Sequence, residues 1–498
     1  MKKFIKVTSL LVLLTLMLVS SCLVGFAKEK VFTYARNESI EVLDPYNNYK
    51  CSNAIMDYLI YDRLWDNNPE ARLATDVNVS PDGKEYTLTL RQGVKFHNGE
   101  PFNAESVKVS LERFKKEELV NSTYWVTLEE VEIVDDYKVI IKFSEPNVVF
   151  FGSPYLSVTA MLPPKAFTEQ GTDLFKHPIG TGAFTFESFI PERNLIVKKN
   201  PDYWGEPAYV DKFTYLNISE DSTRIAAVNT GEVNLADSIP VDQIPFIESN
   251  PDLEVLRVPA WASVLLCMKC DIPPFTDIKF RQAVNLAIDR ESIVQYITKS
   301  GKPCSGALLE GQIGFDPSLP PIKRDIEKAK QLVKESIYDG RDIVILARVG
   351  LVPKNTDILQ AIQAQLIEAG INVKLEILEA GTYTEKRAAG NYDLFFTYGV
   401  YTEDMTQFFI YRIVNNHTLH IGYENEELFE LIMKQVREVN EEKRIEMFKE
   451  INNTLIADVA PWLYLYQLEQ IFAQRKGVTG GIFYYNSTPD LRHVRYEE

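Results

Sequence analysis

Residues 86 to 114, YTLTLRQGVKFHNGEPFNAESVKVSLERF, change hydrophobic period within one short stretch. Tyr86, Leu88 and Leu90 alternate with Thr87, Thr89 and Arg91, the period of a half-buried strand. Gln92-Gly93 interrupts the alternation and Val94 and Phe96 resume it. Asn98-Gly99 accepts the positive φ of a tight turn. Asn103 then stands as a helix N-cap, with Val107, Leu111 and Phe114 at helical spacing behind it. The expected unit is a hairpin feeding an amphipathic helix. His97 has no second histidine or cysteine nearby and reads as scaffold.

The same switch between strand and helix periods recurs along the chain, which points to the α/β class. VEIVDDYKVIIKF (131–143) reads as two strands joined at Asp135-Asp136. In HPIGTGAFTFESF (177–189), Gly180-Thr181-Gly182 has no helix after it, so it predicts a tight turn and not a phosphate loop. A short helix stopped by Gly231 is expected in 221–235. From about residue 260 the helical runs strengthen: 279–297, 325–336, and 357–378 with Gly370 as cap before a strand. NYDLFFTYGV (391–400) reads as a buried strand, and 440–474 as a helix, a stop at Pro461 and a strand. The 498 residues amount to roughly three domain-sized units. No low-complexity linker separates them, so two closely packed lobes with several crossings are expected.

The formal charge of −17 shows no basic excess of the kind a nucleic-acid binder carries. Lys2, Lys3 and Lys6 precede an apolar run from Leu10 to Val19 that is short for a transmembrane span. Small residues just before Cys22 then predict lipoprotein-type cleavage and lipidation of Cys22, with ordinary cleavage after Ala27 as the competing reading. Cys51, Cys267, Cys270 and Cys304 remain. Cys267 and Cys270 form a CxxC inside a strand-like run, where residues three apart face opposite ways. Buried thiols are therefore expected over a metal or redox pair.

No nucleophile elbow, HExxH, P-loop or dinucleotide fingerprint occurs. His417 and His420 are three apart but lack a local third ligand, so a solvated loop is the better reading. FFTYGVYTEDMTQFFIYRIVNNHTLHIGY (395–423) follows a buried strand, where α/β proteins place binding loops. It offers Tyr398, Tyr401, Glu403, Asp404, Gln407 and Arg412. Aromatics supply contact area there and charges fix the ends of a ligand. An aromatic interface between lobes is an equal reading.

Taken together, these residues resemble a known family: the extracellular solute-binding proteins of peptide and nickel ABC transporters. The resemblance rests on the opening stretch and, in order, on PIGTGAFTF, NPDYWG, DSTRIAAVNTGEVNL, PPFTDIKFRQAVNLAIDRESIV, DIEKAKQLVKES and QAQLIEAGINVKLEI, and it covers essentially the whole mature chain. It implies a two-lobed, periplasmic-binding-protein-like (type II) fold with an extra subdomain in the first lobe. The implied division is a signal peptide to residue 27, a first lobe over 28–259 with the extra subdomain at about 47–170, a second lobe over 260–473, and a return to the first lobe over 474–498. It implies an exported, lipid-anchored monomer at the periplasm or outer face of the cytoplasmic membrane. Such a protein captures a solute and delivers it to membrane permease subunits, without catalysis or cofactor. Short peptides are the first expectation; a nickel or other metal chelate, a glutathione-like peptide or another small solute is the alternative. The family places a tryptophan near Tyr398 and an amine-pairing aspartate near Tyr401, so Glu403 or Asp404 is expected to anchor an amino terminus. YLSVTAMLPP (155–164) lacks the arginine of nickel-binding members, and His417 is a weak metal candidate. Tyr46, Tyr49, Trp125 and Trp261 are the further aromatics expected at the cleft.

Overall fold

The computed structural model describes residues 29–496, apart from 48–50, 66–71, 117–118, 120–124, 148–159, 416–420, 460 and 486–487. The signal segment with Cys22, Tyr49, His417 and the side chain of Cys51 lie outside the described residues.

An eleven-stranded mixed sheet runs through both lobes. Eight of its strands matter for the site: β1 (Val31–Arg36), β2 (Lys212–Asn217), β3 (Leu235–Ala236), β4 (Leu253–Met268), β5 (Ile343–Arg348), β6 (Val373–Leu378), β7 (Leu394–Val400) and β8 (Trp462–Arg475). Their order across the sheet is β6-β5-β7-β4-β8-β3-β1-β2. β4 and β8 pair antiparallel from Leu253 opposite Arg475 to Cys267 opposite Trp462, with a register shift between Pro259 and Ser263. This long ribbon joins the lobes. At one end β8 pairs β3, and at the other β4 pairs β7.

Two large cores lie either side of the ribbon's middle, and a third, smaller one packs Ala35, Val228 and Ile247 with Ile471 and Ala473. One large core gathers Val264, Phe280, Ile345, Phe396 and Phe448; the other gathers Phe32, Leu59, Val107 and Tyr215 with Phe472 and Val494 from the returning C-terminus. The chain is thus two-lobed. Arg492 anchors that return, bonding Asp490 at 2.6 Å and lying 3.6 Å from Asp62, all three buried.

The 86–114 stretch folds as its pattern predicts. Strand Glu85–Leu90 buries Tyr86, Leu88 and Leu90 and belongs to a separate four-stranded antiparallel sheet. Gly99 turns at φ 88°, and the Asn103 side chain accepts from the Glu105 and Ser106 N–H groups to start helix Ala104–Lys116. His97 packs against the 180–182 turn. Its Nδ1 accepts from the Gly180 N–H at 3.3 Å, and its Nε2 lies 3.0 Å from the Gly182 carbonyl. Burial pushes the ring down to about 4, so it is neutral and structural. Gly180 and Gly182 are required by close approach. A Cβ on either would meet the Ile60 backbone at 2.0 and 2.6 Å.

The run 279–297 departs from the expected single helix. Ile278–Ala287 ends before Asp289, which caps a new turn by accepting from the Ser292 N–H at 2.9 Å, and Ile293–Thr298 is a π-helical turn. Cys267, Cys270 and Cys304 are free and buried; burial raises all three thiols, the last two to about 12. Such thiols are poor nucleophiles and poor metal ligands at neutral pH.

Candidate functional site

The segments that follow β1, β3 and β5 meet where open α/β sheets bind ligands, beyond the carboxyl ends of the strands: Arg36 and Asn37, Asp237 to Asp242, and Pro353 and Lys354 line one cavity. This cavity of about 630 Å³ lies between the lobes, floored by β8 residues 466 and 468–472. That volume suits a small solute.

The first-lobe wall is a loop from Asp237 to Asp242. Arg224 holds it in shape: the fully buried guanidinium donates to the carbonyls of Asp237, Ile218 and Ser238 at 2.7 to 2.9 Å. Arg36 at the end of β1 pairs with Asp237 at 3.0 Å, and the Tyr34 hydroxyl donates to the same carboxylate at 3.0 Å. Burial nonetheless raises the Asp237 carboxyl, because desolvation outweighs Arg36.

Apart from β8, the second lobe lines the cavity with Thr298, Ser300, Pro353 and Lys354; outside that lining, the lobe carries apolar surface and charge around β7. Tyr398 and Val400, two residues apart on β7, are 41% and 59% exposed beside buried Phe396. Leu346 of β5 is level with Phe395 of β7, so Arg348, two residues on, shares the sheet face of Phe395. The Arg387 guanidinium lies 5.9 Å from the Phe395 ring centroid on that face. Arg412, on the π-helical turn Ile410–Val414, is held below its usual value by burial and then by the neighbouring Arg387 charge. Among the described residues none of these three arginines meets a carboxylate. Glu403 is half-buried, and burial followed by the Asp404 and Glu441 charges raises its carboxyl.

The expected site residues separate into groups. Trp261 sits at the ribbon's crossing. Its N–H donates to the Tyr485 carbonyl and its own carbonyl accepts from the Tyr401 N–H, both at 2.6 Å, while its ring stacks on Tyr485. Tyr401 is buried, with its hydroxyl 2.8 Å from that of Ser263. Three expectations need correction. Tyr46 is fully buried in the first lobe, bonded to the Ala160 carbonyl and packed on Phe114. Trp125 stacks on the other side of the same cluster, 4.9 Å from the Phe114 ring, and is 5% exposed. Asp404 is 1% exposed and locked to Arg444, while also accepting from the Thr406 N–H at 2.9 Å. It has no free oxygen to offer a solute. Arg348, Arg387 and the 237–242 loop were not singled out from sequence. The one available signal was a charged residue closing the apolar run IVILAR (343–348).

The profile of bacterial extracellular solute-binding proteins, family 5 (middle), matches residues 68–418. The chain belongs to this family. This solute-binding protein is 30% identical over 363 residues to the glutathione-binding protein GsiB of Salmonella typhi, covering 71% of this chain and 70% of the relative. Its fold matches HbpA2 from Haemophilus parasuis with TM-score 0.84 at 20% identity, over 94% of this chain and all of that one. DppA from Helicobacter pylori, solved with the peptide STSA, matches with TM-score 0.75 at 24% identity, over 95% and 99% of the two chains. The solute-binding protein is therefore the substrate-binding component of an ABC importer, a class of transport proteins that act outside the cytoplasmic membrane. Among its described residues no helix is long and apolar enough to cross a membrane.

Proposed function

We propose that the interlobe cleft captures a short peptide or peptide-like solute as a zwitterion. The observation that carries this reading is the charge pattern of the second lobe around β7. Arg348, Arg387 and Arg412 lack a carboxylate partner among the described residues, and the charges that raise the half-buried Glu403 carboxyl are those of Asp404 and Glu441. A ligand carboxylate at the arginines and a ligand ammonium at Glu403 satisfy both. Glu403 takes the anchoring role because Asp404 is committed to Arg444.

Capture needs no bond-making, and we assign no catalysis. The solute binds the open form, the lobes close about the β4–β8 ribbon, and the closed form docks on the permease subunits as a monomer. Closure follows only from contacts that differ between open and closed states. We divide the chain as a lipoprotein-type signal segment over 1–27 with cleavage before Cys22, a first lobe over 28–259 with the extra subdomain at about 47–170, a second lobe over 260–473 and a return over 474–498. We assign Cys22 as the lipid anchor.

Calorimetric titration with Ala-Phe-Ala, its N-acetyl form and its C-terminal amide tests the polarity. Glu403→Gln weakens the free-amine peptide by roughly tenfold or more and leaves the N-acetyl form unchanged. Arg412→Met weakens the free acid and spares the amide. Equal affinities for all three peptides in both variants would contradict the assignment. A metal chelate is the second reading; the described residues hold no group of three or more His, Cys, Asp or Glu able to bind a metal.

A further inference from the structure

Capture in the cleft leaves open what holds the lobes together when no solute does. Away from the β4–β8 ribbon, an ion pair between described residues bridges the cavity, Lys354 Nζ to Asp242 Oδ2 at 2.9 Å. Asp242 belongs to the first-lobe turn Val241–Gln243, and Lys354 precedes helix Asn355–Glu368 of the second lobe. Both residues line the cavity.

The backbone around this contact is unusual. Five non-glycine residues have positive φ among the described residues, and three of them surround the cavity: Ser238 at 53°, Lys299 at 53° and Lys354 at 59°. This conformation is costly for a residue with a Cβ and persists where the surroundings impose it. Lys299 ends the π-helical turn Ile293–Thr298, and its neighbours Thr298 and Ser300 line the cavity. Lys354 first and Lys299 also lower the Asp242 carboxyl, so two second-lobe lysines act on one first-lobe acid. Asp242 raises Lys354 in return.

We infer that Asp242, Lys354 and Lys299 form an interlobe ion latch that favours the closed form without a solute and so sets how readily the cleft opens. This rests on the reading that the cleft is the capture site. The contact is solvent-exposed, with side chains 53% and 44% accessible, so it biases an equilibrium and does not lock it. The expected weight is a two- to fivefold change in the closed-to-open ratio, roughly the upper range for exposed pairs. It fades from roughly 0.01 M to roughly 1 M salt, as the screening length falls from about 30 Å to about 3 Å.

Electron–electron distance measurement on the solute-free mature protein reads this ratio directly. Spin labels at Val134→Cys in the first lobe and Ile367→Cys in the second use exposed positions, while Cys267, Cys270 and Cys304 are buried; Cys51→Ser removes the remaining mature-chain thiol. Asp242→Asn lowers the closed-to-open ratio about two- to fivefold at low salt and has no effect at high salt. The exchange Asp242→Lys with Lys354→Asp returns part of the closed population, and adding Lys299→Asp returns more. An unchanged ratio in Asp242→Asn at low salt overturns the latch, as does failure of the triple exchange to exceed the double. Solute binding by Asp242→Asn is measured separately, so loss of the latch and loss of the capture site are distinguishable.

Discussion

At the residue scale, neighbouring acids have opposite fates. Asp404 is buried against Arg444, forty positions away, and Glu403 points to no cation among the described residues. Removing one member of a buried pair leaves the other charge stranded, at a cost of about 3–5 kcal/mol. Asp404→Asn is therefore expected to lower unfolding stability by that amount in urea denaturation, while the folded variant keeps its solute affinity. Glu403→Gln is expected to do the reverse. His97 gives a second residue-scale expectation. Its folded value of about 4 lies below the ordinary 6.5, so the unfolded chain binds more protons between them. Stability is fully present above 6.5 and is lost as pH falls toward 4, by up to roughly 3 kcal/mol. His97→Gln should flatten that part of the stability–pH profile.

At the element scale, turns and caps were the most legible features. Asn103, Gly99, Gly231 and Gly370 sit at the N-cap, turn and helix-end positions that their sequence context predicts, and the three glycines all have positive φ. Those signals are local, written within a few residues. The 180–182 turn was legible as a turn, but its reason was not, because Ile60 lies far away in sequence. Gly180→Ala would place a Cβ 2.0 Å from the Ile60 carbonyl oxygen, against backbone that cannot rotate aside. A loss of 1–3 kcal/mol or more is expected by thermal or chemical unfolding, with the His97 contact disturbed as well. The break at Asp289 was missed because the 279–297 run keeps its helical spacing, while the Asp289 side chain recruits the Ser292 N–H instead.

At the scale of the whole molecule, the α/β class and two-lobed fold were readable because strand and helix periods alternate without linkers. The cleft was only partly readable. Aromatic content alone does not separate Tyr46 and Trp125, buried around Phe114, from Tyr398, which stands exposed at the end of β7. That distinction depends on which lobe closes over which ring, a property of tertiary packing. The same packing brings the Arg387 charge close to Arg412 from an element separated in sequence. Native mass spectrometry of the gently purified mature protein tests the central claim most directly, by weighing the solute carried from the cell. The account predicts added masses matching short peptides or peptide-like solutes that bear both an acidic group and an amine. A carried solute lacking either group would contradict it.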